Sequence, residues 1–110
     1  MAIYEKYLGR TRESFYDLTL NEARKQYKIT YPDDFNFAYD VIDVLGREKP
    51  DKEALYYLSN EKEEKRFSFR DMMLWSNKVA NYLTSLGIKK GDKVLLVLKR
   101  SYLFWFVMLG

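Results

Sequence analysis

The chain has 110 residues, 47% hydrophobic and 32% charged, and 19 basic against 16 acidic side chains give a net charge of +3. That is one domain's worth at most, apolar enough for a small core and too apolar for disorder. With neither cysteine nor histidine, it excludes disulfides, thiolate chemistry, the usual zinc sites and Ser-His or Cys-His catalytic pairs within the chain.

In chain order, Met1 to Gly9 offers an apolar arm through Ile3, Tyr4, Tyr7 and Leu8. Ser14 to Tyr27 predicts a weak helix with two candidate capping pairs, Ser14 with Asp17 and Thr19 with Glu22. Phe15, Leu18 and Tyr27 share its apolar side. Pro32 disfavours helix at Tyr31 and marks a connector. A second helix is expected from a cap at Asn36, with Phe37, Val41, Val44 and Leu45 as its buried stripe. Gly46 and Pro50 end it. Asp40 and Asp43 lie off that stripe. They invite an acid/base role, but the pattern reads them as a solvated face with nothing nearby to desolvate them.

Ala54 to Ser59 suits a strand, Asn60 to Lys65 a charged turn, and Arg66 to Phe69 a returning strand, together a β-hairpin. The next helix is the best specified. Ser68 is its cap with Asp71 three residues on, and Met72, Trp75, Val79, Leu83 and Leu86 run at helical spacing. Gly87 is placed for a left-handed stop, with Leu83 and Ile88 in contact across it. After a turn at Gly91-Asp92, Val94 to Leu98 is five aliphatics in a row, the pattern of a strand buried on both faces of a parallel sheet. Strand, helix and strand make a βαβ unit. Lys99, Arg100 and Ser101 fall at the strand's carboxyl end, the edge where α/β sheets bind ligands. The two cations there can hold a phosphate, or simply end the strand and keep its edge soluble. Tyr102 to Leu109 opens an all-apolar helix that stops at Gly110.

The expected fold is therefore α/β: a partial sheet with a β-hairpin and a βαβ unit, N-terminal helices, and a final helix cut short. Residues 1–34 form an arm and helix, and residues 35–110 an incomplete α/β portion. The five glycines, Gly9, Gly46, Gly87, Gly91 and Gly110, make no phosphate-cradling loop. No loop has the acidic alternation of a calcium site, so no metal ligand is assigned. No run reaches the roughly 18 apolar residues of a membrane span, and the first residues lack the core of a secretory signal. Mild, mixed charge supports no nucleic-acid surface. A cytoplasmic location is expected.

Three segments together carry a resemblance: FNFAYDVIDVLGREKPDKEAL (Phe35 to Leu55), FSFRDMMLWSNKVANYL (Phe67 to Leu83) and LGIKKGDKVLLVLKRSYLFWF (Leu86 to Phe106). In order and spacing they resemble the N-terminal region of AMP-forming acyl-CoA synthetases, in the medium-chain acyl-CoA and acetyl-CoA synthetase branch of the adenylate-forming enzymes. The resemblance covers Tyr31 to Gly110. It implies a parent enzyme that uses ATP and Mg²⁺ to adenylate a carboxylic acid, then passes the acyl group to coenzyme A. It also implies that the family's phosphate loop, adenylate-contacting motifs and C-terminal lysine lie beyond residue 110, so that the chain alone is inactive. No catalytic residue carries over. Arg100 stands where the family often has an arginine after the strand, with Ser101-Tyr102-Leu103 in place of its usual companions, and it is the one candidate cofactor-binding residue. The alternative is a stand-alone interaction or self-association module using the apolar face of residues 102–109. Self-association of the chain is expected on either reading.

Overall fold

The computed structural model describes residue 3, residues 5–8 and residues 16–110. The expectations on Tyr4, Phe15 and the Ser14–Asp17 cap lie outside the described residues. The chain divides into two compact units, Met1–Phe35 and Asn36–Gly110.

In the first unit, α1 is the single turn Glu5–Leu8 and α2 is Leu20–Gln26. The Thr19–Glu22 pair forms the capping box. Thr19 N–H donates to the Glu22 carboxylate at 2.9 Å, and Glu22 N–H donates to Thr19 Oγ1 at 3.4 Å. The bond from the Thr19 side chain, then that from its backbone, holds the Glu22 carboxyl below its usual pKa. No residue of α2 is buried, so this cap, rather than packing, specifies the helix. Elsewhere in this unit Thr30 N–H donates to the Tyr7 carbonyl at 2.8 Å, and Tyr7 meets Phe35 edge-on with ring centroids 5.0 Å apart.

The second unit opens at the expected cap. Asn36 Oδ1 accepts from Ala38 N–H at 2.9 Å, and Asp40 returns the bond by accepting from Asn36 N–H at 2.7 Å. The helix beyond this cap is not an ordinary α-helix. Ala38–Asp43 is π-helical, and only then does α3, Val44–Glu48, begin. A π turn closes over one more residue than an α turn, so every later side chain is rotated from its 3.6-residue position. The buried positions are accordingly Ile42, Asp43 and Gly46, and Phe37, expected on the stripe, is exposed. A Cβ on Gly46 would lie 2.9 Å from that of Met73, so hydrogen at this position is what lets α3 approach the long helix.

The hairpin pairs β1, Glu53–Leu58, with β2, Glu64–Ser68, antiparallel. Leu55 faces Phe67 and Tyr57 faces Lys65, with a bulge between Glu53 and Leu55. Across the strands Arg66 lies over the Tyr56 ring at 4.2 Å and donates to Glu53 at 2.6 Å. These are exposed contacts of small energetic weight.

Helix α4, Phe69–Ser85, has both bonds of the Ser68–Asp71 capping box. Phe69 and Arg70 N–H also donate to the carbonyls of Lys52 and Pro50, at 3.0 and 3.2 Å. Three donors that a helix start normally leaves to water are thereby engaged. At the other end Ile88 N–H reaches the Leu83 carbonyl at 3.2 Å and Gly87 N–H the Thr84 carbonyl at 2.9 Å. With Gly87 at φ +83°, this is the expected left-handed stop. The last helix, α5, is Leu103–Leu109.

The core is small: Ile42, Met72 and Phe106, with Leu55, Phe67, Phe69 and Val79 partly buried against them. Phe106 is its centre, edge-on to Phe67 at 5.2 Å and stacked on Trp75 at 5.7 Å. The α/β class, the hairpin and the capped long helix stand as expected. The buried parallel strand does not. Val94 to Leu98 belongs to no sheet, because the only ladder among the described residues is β1–β2. Without a neighbouring strand its peptide groups have no ladder to join, and Leu95 and Val97 are 90% and 80% exposed. The final helix is likewise less enclosed than its sequence implies: Phe106 is buried while Trp105 and Met108 are exposed.

Candidate functional site

The two cations that the sequence singled out, Lys99 and Arg100, fall in a bend just before α5. Side chains of the hairpin fix this bend. Tyr57 Oη donates to the Arg100 carbonyl over a long 3.4 Å, and Lys65 Nζ donates to Tyr102 Oη at 3.0 Å. Tyr102 also packs edge-on to Tyr57, with centroids 5.3 Å apart, and lies 5.1 Å from Phe67. The bond to Tyr102, reinforced by Glu63 at 3.1 Å, raises the Lys65 pKa above its usual value. Tyr57 and Lys65 face each other in the ladder register, so the hairpin turn is what aims both at the bend.

Beside this bend lies an open groove of about 450 Å³. Tyr56 and Leu58 of β1 line one side; Lys99, Arg100, Phe104 and Trp105 line the other. Among the described residues, ion pairs tie Lys65 to Glu63 and Arg66 to Glu53. Neither Lys99 nor Arg100 is in one. The supporting residues Tyr57, Lys65 and Tyr102 were not singled out from the sequence. Their only signal was the aromatic density of the hairpin and of the residues after Arg100.

A second cavity, of about 690 Å³, is apolar, lined by Phe37, Ile42, Leu55, Met72, Trp105 and Met108 among others. It offers shape without charge, and Asn36, its polar side chain, is already engaged in capping.

Asp43 corrects the expectation of a solvated carboxylate. It is 7% exposed and its Oδ1 has no hydrogen-bond partner. Burial pushes its pKa up, against a smaller opposing pull from Arg47. The π-helical register turns this residue inward. No group of three or more carboxylates among the described residues is placed to hold a metal ion.

The AMP-binding enzyme family model matches residues 43–110, more than half of the chain, so the chain belongs to that family. Within it, the similar proteins are acyl-coenzyme A synthetases. The mitochondrial synthetase ACSM3 of Mus musculus is 34% identical over 111 aligned positions, covering 94% of this chain. ACSM4 of Homo sapiens is 35% identical over 78% of it, and ACSM2 of Rattus norvegicus 38% identical over 72%. The chain spans only 19%, 16% and 15% of those relatives' lengths. Their names place them in mitochondria, which does not support the cytoplasmic expectation. Among the described residues no helix is long and apolar enough to cross a membrane.

Proposed function

We propose that this chain is the opening α/β portion of an AMP-forming acid–thiol ligase. The parent enzyme converts a fatty acid, ATP and coenzyme A into acyl-CoA, AMP and pyrophosphate. The observation that carries the reading is the family match over residues 43–110, joined to 34% identity with an acyl-coenzyme A synthetase over 94% of the chain. In such chemistry the protein places charge around a transferring phosphorus and a developing oxyanion. Residues 1–110 supply scaffold for that work, residues 1–34 as arm and helix and residues 35–110 as the start of the catalytic domain. In that setting Val94 to Leu98 becomes an interior strand, which its run of aliphatics suits. Arg100 is the candidate contact to a cofactor.

Alone, the chain turns nothing over. The test is to mix it with ATP, Mg²⁺, coenzyme A and a panel of fatty acids; pyrophosphate release by the 110-residue chain overturns this part of the proposal. Reading the gene past the codon for Gly110 tests the rest. A continuation into a glycine- and threonine-rich loop supports the ligase, and a stop codon favours an interaction module.

The exposed rings and aliphatics of α5, Trp105 at 50% and Met108 at 60%, support self-association of the isolated chain. Sedimentation at micromolar concentration checks it, and a monomer at all concentrations overturns it. The cysteine-free composition suits a reducing compartment, and a fluorescent fusion decides between cytoplasm and mitochondria.

A further inference from the structure

We propose that one outer arc of α4, running from Leu74 through Tyr82 to Leu86 at its C-cap, is a docking face for an anionic lipid surface. The inference goes beyond the ligase reading and does not rest on it. Leu74, Trp75, Tyr82 and Leu86 are all exposed. At 3.6 residues per turn they share with Lys78 a single arc about 120° wide, beside the side on which Met72 and Ser76 are buried. Lys78 falls between Leu74 and Tyr82 on this arc, and its ammonium lies 4.4 Å from the centre of the Trp75 ring. Trp75 is in turn stacked on Phe106, so its ring is held against the core instead of turning freely.

The charge along this face has one sign. From Met72 to Gly91 the charged side chains are Lys78, Lys89 and Lys90, with no aspartate or glutamate among them. The acids that flank the stretch are taken up locally. Asp71 accepts from the Ser68 amide and hydroxyl, and Asp92 accepts from the Lys89 amide. The ion pairs among the described residues involve none of the three lysines. An apolar face that carries only cations selects an anionic partner, and its shape selects among those. It is the convex side of a helix, and neither cavity described above includes Leu74, Lys78, Tyr82 or Leu86. A protein partner gains most where an anchor side chain enters a pocket, and this face offers none. A bilayer takes aliphatic side chains at the acyl boundary, Trp and Tyr rings at headgroup level, and lysines among the phosphates. Leu74 and Leu86 supply the first, Trp75 and Tyr82 the second, and the three lysines the third.

The test sediments the full 110-residue chain with vesicles of phosphatidylcholine alone, and with vesicles in which half the lipid is phosphatidylserine. Binding to the anionic vesicles, weakened by added salt, is expected. Trp105→Phe leaves Trp75 as the one tryptophan, and its emission should move to shorter wavelength in the bound state. Lys78→Gln should weaken binding about fivefold, the worth of one cation near an anionic leaflet. Leu74→Gln and Tyr82→Gln place a good helix former on an exposed face. Each should weaken binding about fivefold through lost apolar contact, at an unchanged melting temperature. Met108→Gln alters an exposed apolar residue of α5 and should bind as the parent chain does. No binding to the anionic vesicles, or equal binding to both kinds, overturns the proposal. Undiminished affinity in both Leu74→Gln and Tyr82→Gln does so too, as does loss of binding in Met108→Gln, which would put the contact on α5. A longer chain that adenylates an acid yet leaves the vesicles unbound overturns the proposal for the parent enzyme and shows the face covered by further protein. A longer chain that binds the vesicles and adenylates no acid refutes the ligase reading alone.

Discussion

Asp43 is a carboxylate kept from water with one oxygen unpaired, so its charge is a liability in the folded chain. Burial raises its pKa above the ordinary 3.8. The folded state therefore binds the proton more tightly than the unfolded state does. Stability from this residue is fully present below the unfolded pKa and is lost as pH rises through the folded one. Asp43→Asn should accordingly gain about 1–3 kcal/mol at neutral pH, and the gain should vanish in acid. Urea unfolding of both chains across that range checks it, and a gain independent of pH would refute the account. The sequence singled out Asp43 but not its burial. A 3.6-residue period puts Asp43 on the wet side, and only the extra residue of the π turn brings it in. Arg100 was legible by position, at the end of an aliphatic run. Its supports were not, because Tyr57, Lys65 and Tyr102 come together only through the strand register.

At the level of elements, legibility follows how local the signal is. Helix α4 was readable from end to end, since Ser68, Asp71 and Gly87 act through bonds to residues at most a few places away. Ser68→Ala should cost about 1 kcal/mol, as loss of a helix cap does, seen as a lower urea midpoint with the helical circular dichroism retained. The hairpin was equally readable, from apolar runs flanking a charged turn. Val94 to Leu98 was not. Its aliphatics speak for burial, but burial needs a neighbouring strand that the described residues lack. Thermolysin, which cuts before large aliphatics, should therefore cleave at Leu95 or Val97 before it touches the interior of α4. Protection of this segment in the isolated chain would show that something pairs with it.

For the whole molecule, the decisive quantity is how little is fully enclosed. Ile42, Met72 and Phe106 are the buried apolar residues among those described, and domains that bury so little are marginally stable. Phe106 is 2% exposed and touches rings from β2 and α4. Phe106→Ala should cost about 3–5 kcal/mol, enough to abolish the cooperative unfolding transition rather than merely shift it. A variant that still unfolds cooperatively near the parent midpoint would place the core elsewhere. The joint between hairpin and helix bears on the same margin. Ser68 ends the β ladder opposite Glu53 and caps α4, while Phe69 and Arg70 spend their N–H groups on Lys52 and Pro50. A helix end normally frays on its own, its first amides opening to solvent far more often than the middle. Here the first turn of α4 cannot open without also giving up bonds to the segment that leads into β1. The amide protons of Phe69, Arg70 and Asp71 should then exchange with solvent at the pace of the hairpin, so that two elements of different kinds melt as one unit.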